Sequence, residues 1–132
     1  MIAKTKINSE AIMATPEKLI ENSILDNLNI IPECFAFKVN TTGVYDARKR
    51  VFRKNNNPHI HNGTSDILGT YKGRFFAIEV KAGYAKPSDK QKLFLKRIEQ
   101  NGGAAFWANS LDLALEKFKE AFPCANIPNT IF

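Results

Sequence analysis

Gly63-Thr64-Ser65-Asp66-Ile67-Leu68-Gly69-Thr70-Tyr71, then Lys72-Gly73, then Arg74-Phe75-Phe76-Ala77-Ile78-Glu79-Val80-Lys81 is the stretch that decides the fold of this chain. Ile67 to Tyr71 and Phe75 to Val80 carry the apolar and β-branched content of strands, and Lys72-Gly73 is the turn pair between them. If the loop is those two residues alone, Tyr71 faces Arg74, and opposed residues have numbers that sum to 145. Asp66 then stands opposite Glu79, on the same face, with Cβ atoms about 4.5–5.5 Å apart. The period of two puts Lys81 on the face of Glu79 and turns Val80 the other way, into a core. A three-residue loop or a bulge would shift this register by one.

Two opposed carboxylates repel one another unless a cation sits between them, and a divalent ion held by oxygen ligands is the natural one. Magnesium held by Asp66 and Glu79 would polarise a phosphate and lower the pKa of a bound water, and Lys81 would orient that water or face the developing negative charge. This set suits phosphodiester hydrolysis. Taken alone, Glu79-Val80-Lys81 reads as a surface ion pair. The Gly-x-x-Asp turn at Asp66, the hairpin register and acids on a neighbouring helix move the reading to a metal site.

Outward from the hairpin, Thr15-Pro16-Glu17 predicts a helix start, with Thr15 as N-cap and Pro16 in the first turn. Ile20, Ile24 and Leu28 form its apolar stripe, and Pro32 is the expected stop. Cys34 to Val39 alternates as a strand and ends at Asn40-Thr41-Thr42-Gly43. Ala47 to Asn62 is polar and basic and reads as an exposed loop, with Val51 and Phe52 able to form a short strand inside it. Ser88 and Gln91 match a capping box that opens a second helix, whose buried face is expected at Leu93, Phe94, Arg97 and Ile98, and Gly102-Gly103 ends it. Ala104 to Ala108 is a further strand, with Trp107 assigned to the core. Ser110 caps a last helix through Leu111, Leu115 and Phe118. A helix between two strands of one sheet implies a crossover, so the expectation is an α/β domain with a mixed four-stranded sheet flanked by helices.

Composition sets the outer limits. The chain has 132 residues, enough for one domain with its core at about 15–122, and carries a net charge of +6 that attracts polyanions. No apolar run approaches the ~20 residues of a membrane span, and the basic N-terminus lacks an apolar h-region, so neither an anchor nor a signal peptide is expected. Cys34 and Cys124 read as two reduced thiols of a cytoplasmic protein. His59 and His61 have no partner at metal-ligand spacing and read as loop residues or phosphate contacts. Arg48, Lys49, Arg50, Arg53 and Lys54 are either a solvated face or phosphate-binding residues that position a duplex without reading its sequence; Lys86, Lys90 and Lys92 would extend such a groove.

Gly63-Thr64-Ser65-Asp66, Glu79-Val80-Lys81 and Gln91 together resemble the motifs of the PD-(D/E)xK nuclease superfamily, and more closely its VRR-NUC family in the short stand-alone form of phages and prophages. Asn40 to Asp46 resembles the strand-to-turn segment of those proteins, and Gly102 to Phe106 their helix-to-strand junction. The similarity runs from about Glu21 to about Phe118. Ser65 stands where the superfamily's name calls for proline. The resemblance implies a restriction-endonuclease-like core, a Mg2+ cofactor for which Mn2+ substitutes, and metal ligation by Asp66, Glu79 and a first-helix glutamate. Glu21 fits that glutamate best, with Glu17 as the alternative. Lys81 would be the catalytic lysine, and Gln91 would support the site while also capping its helix. Asn40, Thr42 and Tyr45 join the basic residues as expected DNA contacts, with Tyr45 either stacking on a base or packing. Branched DNA cut by a homodimer, as by a Holliday-junction resolvase, is the expected substrate, with plain duplex or DNA ends as the alternative. The expected setting is the cytoplasm of a bacterial or phage-infected cell. From another class, a DNA-binding module with a dead site would keep the binding residues and lose the chemistry.

Overall fold

The computed structural model describes residues 15–39, 44–53 and 57–128. Its elements in chain order are α1 (Pro16–Leu28), β1 (Cys34–Lys38), β2 (Val44–Asp46), β3 (Val51–Arg53), β4 (Ile67–Tyr71), β5 (Arg74–Val80), α2 (Asp89–Gln100), β6 (Ala104–Ala108) and α3 (Leu111–Ala121). Lys72 at φ 48° and Gly73 at φ 83° both take the left-handed conformation. A type I′ two-residue turn requires this of both central residues. Tyr71 therefore faces Arg74 and Ile67 faces Ile78, the register expected from the sequence.

The main sheet has the order β1-β4-β5-β6. β4 runs antiparallel to both its neighbours, β1 and β5, whereas β6 runs parallel to β5 after the α2 crossover, so the sheet is mixed. The described residues thus form an α/β fold with a four-stranded mixed sheet and three helices. β2 and β3 form a separate two-stranded sheet. The short strand expected at Val51 and Phe52 is present, but its partner at Val44–Asp46 carried no alternation long enough to see, and the segment is a hairpin rather than a continuous loop. Gly69 lies where β4 passes close to its neighbours: a Cβ there would run into the Phe76 ring and the Phe35 carbonyl.

One face of the sheet carries Ile67, Phe76, Ile78 and Val80, which pack with Ile24 and Leu28 of α1 and Leu115 and Phe118 of α3. Phe118 meets Phe76 edge-to-face at 5.4 Å and Tyr71 at 5.8 Å. Such aromatic pairs add about 0.5–1.5 kcal/mol each beyond area burial. The other face carries Ala77 and Ala105 against Leu95 of α2, with Leu68, Phe94, Ile98 and Trp107 around them. Trp107 is only half-buried, its ring covered by the Lys117 ammonium at 5.1 Å.

The helix ends follow local chemistry. Thr15 Oγ1 accepts the Lys18 amide, and Pro16 opens α1 as expected. α1 stops at Leu28, with Asn29 as C-cap, before Pro32 is reached. Asn29 is drawn off the helix by β1: its side chain donates to Ala36 O at 2.9 Å and accepts from Ala36 N at 2.8 Å. At the end of α2, Gly102 at φ 91° donates to Glu99 O and Gly103 to Ile98 O. This pair is a Schellman motif.

The buried face expected for α2 is corrected. In α2 the residue facing the sheet is Leu95, with Phe94 and Ile98 half-buried, whereas Leu93 is 53% exposed and Arg97 is exposed. The sheet-facing stripe is 91, 94, 95 and 98. It begins with a polar residue, Gln91, which a purely apolar pattern passes over. In β1, Ala36 faces the core and Phe35 and Phe37 are exposed, because α2 packs on β5 and β6.

Candidate active site

The site forms where β5 runs out beside the chain entering β4. Continuing the ladder by one pair beyond Ile67–Ile78 brings Asp66 opposite Glu79. Asp66 is fixed at both ends: its carbonyl accepts the Val39 amide at 2.9 Å, and its Oδ2 accepts the Val80 amide at 2.9 Å. The second carboxylate oxygen of Asp66 is left for other partners. Glu79 is 1% exposed. Its Oε1 accepts from Gln91 Nε2 at 2.9 Å and lies 3.5 Å from Lys81 Nζ. Its Oε2 is buried with no donor among the described residues.

Gln91 does two jobs with one side chain. Its Oε1 accepts the Ser88 amide at 2.8 Å, its own amide donates to Ser88 Oγ at 3.3 Å, and its Nε2 holds Glu79. The capping box thereby fixes the first turn of α2 and points an amide at the site. Lys81 extends β5 past its last residue by donating its amide to Ala108 O at 3.0 Å. The local strand geometry that places Glu79 places Lys81 too.

The acids of α1 enter from the opposite face of the sheet. Glu17, Glu21 and Asp66 each offer a carboxylate oxygen, all within 4.8 Å of one another. Glu21 and Glu17, one turn apart, were alternatives in the sequence; α1 brings both to Asp66. Glu21 is buried, and its Oε2 lies 3.0 Å from Lys38 Nζ without the alignment of a hydrogen bond. Lys38 was not singled out in the sequence. The signal was strand parity, which sets it on the face of Ala36, toward α1, and away from Phe35 and Phe37.

Electrostatics follow from this crowding. Burial raises the Glu79 carboxyl to about 8; the facing Asp66 adds to the rise through charge and hydrogen bonding, and Lys81 opposes it. Burial also raises Glu21, with the Lys38 contact pulling down and Asp66 pushing up. Ser65, buried beside Asp66, has a hydroxyl with no partner among the described residues.

The residues fit a hard divalent cation. All the donors are oxygens, as magnesium and manganese prefer. The uncompensated Glu79 Oε2 and the raised Glu79 and Glu21 carboxyls mark buried acids whose ionised form a cation would stabilise. Glu79 is not in the 4.8 Å group, so Asp66 is the residue common to both sides. No protein-family model matches this chain, and no curated protein matches it.

The expected DNA contacts divide. Arg48, Lys49 and Arg50 are exposed in the turn joining β2 to β3. Tyr45 lies opposite Phe52, and Arg53 opposite Val44, in that hairpin. Asn40, Thr42 and Lys54 fall outside the described residues. Lys86, Lys90 and Lys92 are exposed. Among the described residues, His61 has no metal-ligand cluster around it; Arg97 Nη1 sits 3.1 Å from its Nε2.

Proposed function

We propose that this chain is a metal-dependent DNA endonuclease that hydrolyses phosphodiester bonds, a VRR-NUC-type nuclease with a restriction-endonuclease-like core. The observation that carries this reading is the position of Asp66. It stands between the α1 acids on one side and, on the other, the buried Glu79 whose Oε1 is 3.5 Å from Lys81 Nζ. Magnesium or manganese held by Asp66, Glu79 and Glu21 supplies Lewis acidity and a water of lowered pKa. Glu17 is a further oxygen within reach.

The chain's own groups do the rest. Gln91 fixes one oxygen of Glu79 and Val80 fixes one of Asp66, so the carboxylates are aimed before substrate arrives. Lys81 brings its positive charge to the mouth of the site, where negative charge builds on the phosphate as the water oxygen bonds to phosphorus. The attacking water gives up its proton to solvent, the ester P–O bond breaks, and the leaving oxygen takes a proton from water. The +6 net charge and the Arg48–Lys49–Arg50 turn favour a polyanion.

Branched DNA cut by a homodimer is the substrate reading we favour. Exposed Phe35 and Phe37, with rings 5.5 Å apart on edge strand β1, offer a second copy an apolar surface to bury. The test is cleavage of a four-way junction, a flap, a single strand, a linear duplex and a supercoiled plasmid, each with magnesium, manganese or EDTA, beside Asp66→Ala. Symmetric junction nicking that the variant loses supports a resolvase-like enzyme. Metal-dependent cutting of every substrate keeps the nuclease and discards the branch selectivity. No cutting in either metal, with DNA binding intact in Asp66→Ala, leaves a binding module.

A further inference from the structure

Beside the candidate site lies a cavity of about 240 Å3, lined by Pro58, Ile60, His61, Gly63, Lys90 and Leu93 among others. It is joined to the site by chain on both walls. Gly63 is three residues before Asp66, no more than about 11 Å of extended backbone. Lys90 immediately precedes Gln91, which holds Glu79.

The walls are built rather than incidental. A Cβ on Gly63 would strike the Lys90 carbonyl, so glycine is what lets the 57–64 loop lie directly on α2. The loop is locked by its own bonds: His59 N to Asn57 Oδ1 at 2.9 Å, Ile60 N to Asn57 O at 3.1 Å, and Thr64 Oγ1 to His61 O at 2.7 Å. His61 is held against the Phe94 edge at 5.6 Å and beside Arg97 at 3.1 Å. Arginine can only donate, so His61 Nε2 accepts and the ring proton is on Nδ1. Leu93 is 53% exposed at the rim, an apolar side chain with nothing to bury it, and Ile60 is half-buried.

Pro58, Ile60 and Leu93 as apolar lining, the His61 ring and the Asn62 amide as polar lining, and Lys90 on the α2 wall match a planar heterocycle attached to a phosphate. The volume lies just below the range for drug-sized ligands, a size that suits one nucleobase. We propose that this cavity receives a single unpaired nucleobase of the DNA substrate, within about three nucleotides of the cleaved phosphate at 3.4 Å of strand rise per step. Ile60 and Leu93 would cover its faces and Lys90 its phosphate. This rests on the nuclease reading. It narrows the substrate class to DNA with an unpaired nucleotide at the branch, a flap or a bulge, over fully paired duplex. Such a base enters at least cost, because it has no pairing to give up.

The test is binding in calcium, which permits metal-assisted binding without turnover. Two duplexes are compared, one with a single unpaired 2-aminopurine and one fully matched. Wild type should prefer the bulged duplex by roughly tenfold, as burial of one base implies. The 2-aminopurine emission should rise as the base leaves its stacked neighbours. Leu93→Trp fills the cavity from an exposed position and should abolish both effects; Ile60→Trp is the second variant and should do the same. Equal affinity of wild type for the two duplexes overturns the proposal. So does a preference that survives both tryptophan variants. Preferential binding and a rise in emission, with no cleavage of any substrate in magnesium or manganese, would keep the pocket and remove the nuclease reading.

Discussion

On the sheet face covered by α1 and α3, β5 presents Phe76, Ile78 and Val80, each fully buried among hydrocarbon side chains. On the face covered by α2, the same strand presents Ala77 and then Glu79, as deeply buried but holding a carboxylate oxygen with no donor among the described residues. Glu79 is shielded from water as fully as Phe76, Ile78 and Val80; the two sides of the strand differ in what the shielding achieves. Burying hydrocarbon stabilises the fold, whereas burying an uncompensated acid destabilises it and raises the acid's affinity for a proton or a cation. Stability is concentrated on one face, and on the other the buried Glu79 costs stability in return for a pre-aimed charge.

Asp66→Ala breaks the contrast most sharply. Removing the residue common to both groups of acids should lower cleavage by several kcal/mol of transition-state stabilisation, about 10³-fold or more. The fold should survive, as circular dichroism would check. Phe118→Ala makes the opposite change: it should cost about 3–5 kcal/mol of stability, read by urea unfolding, while protein that stays folded keeps its cleavage rate. Equal loss of activity in the folded fraction of both variants would erase the distinction between the faces. Gln91→Ala sharpens it, because that residue serves fold and site together. Metal affinity should fall roughly 10- to 100-fold, and the lost capping box should lower stability by about 1 kcal/mol.

A further effect is a pH dependence of stability. Glu79 titrates near 8 in the folded protein and near 4.5 when unfolded, so between those values the folded state binds more protons. Its favourable contribution is full below about 4.5 and is lost as pH rises through 8. In EDTA, melting temperature should therefore fall more from pH 5.5 to 8.5 in wild type than in Glu79→Gln. Saturating magnesium should remove the difference. A Glu79→Gln variant whose melting temperature tracks wild type across that range would show that the buried carboxylate carries no such penalty.

What the sequence determined by itself was whatever depends on neighbours along the chain. The Lys72-Gly73 pair selects its turn through backbone conformation, the turn sets the register, and the period of two then brings Asp66 to Glu79 and sets Lys81 beside it. The caps at Thr15, Ser88 and Ser110 are likewise bonds across three residues. Tertiary structure alone decided what depends on which helix covers which strand. The α2 stripe begins at Gln91 instead of Leu93 because a polar side chain faces the site. Phe35 and Phe37 stay exposed because α2 packs over the other edge of the sheet. Glu17 and Glu21 meet at Asp66 together because the axis of α1 aims two successive turns at the sheet end. Spacing can put an acid on a helix face, but only packing of that helix against the sheet brings the face within 4.8 Å of a carboxylate on another element.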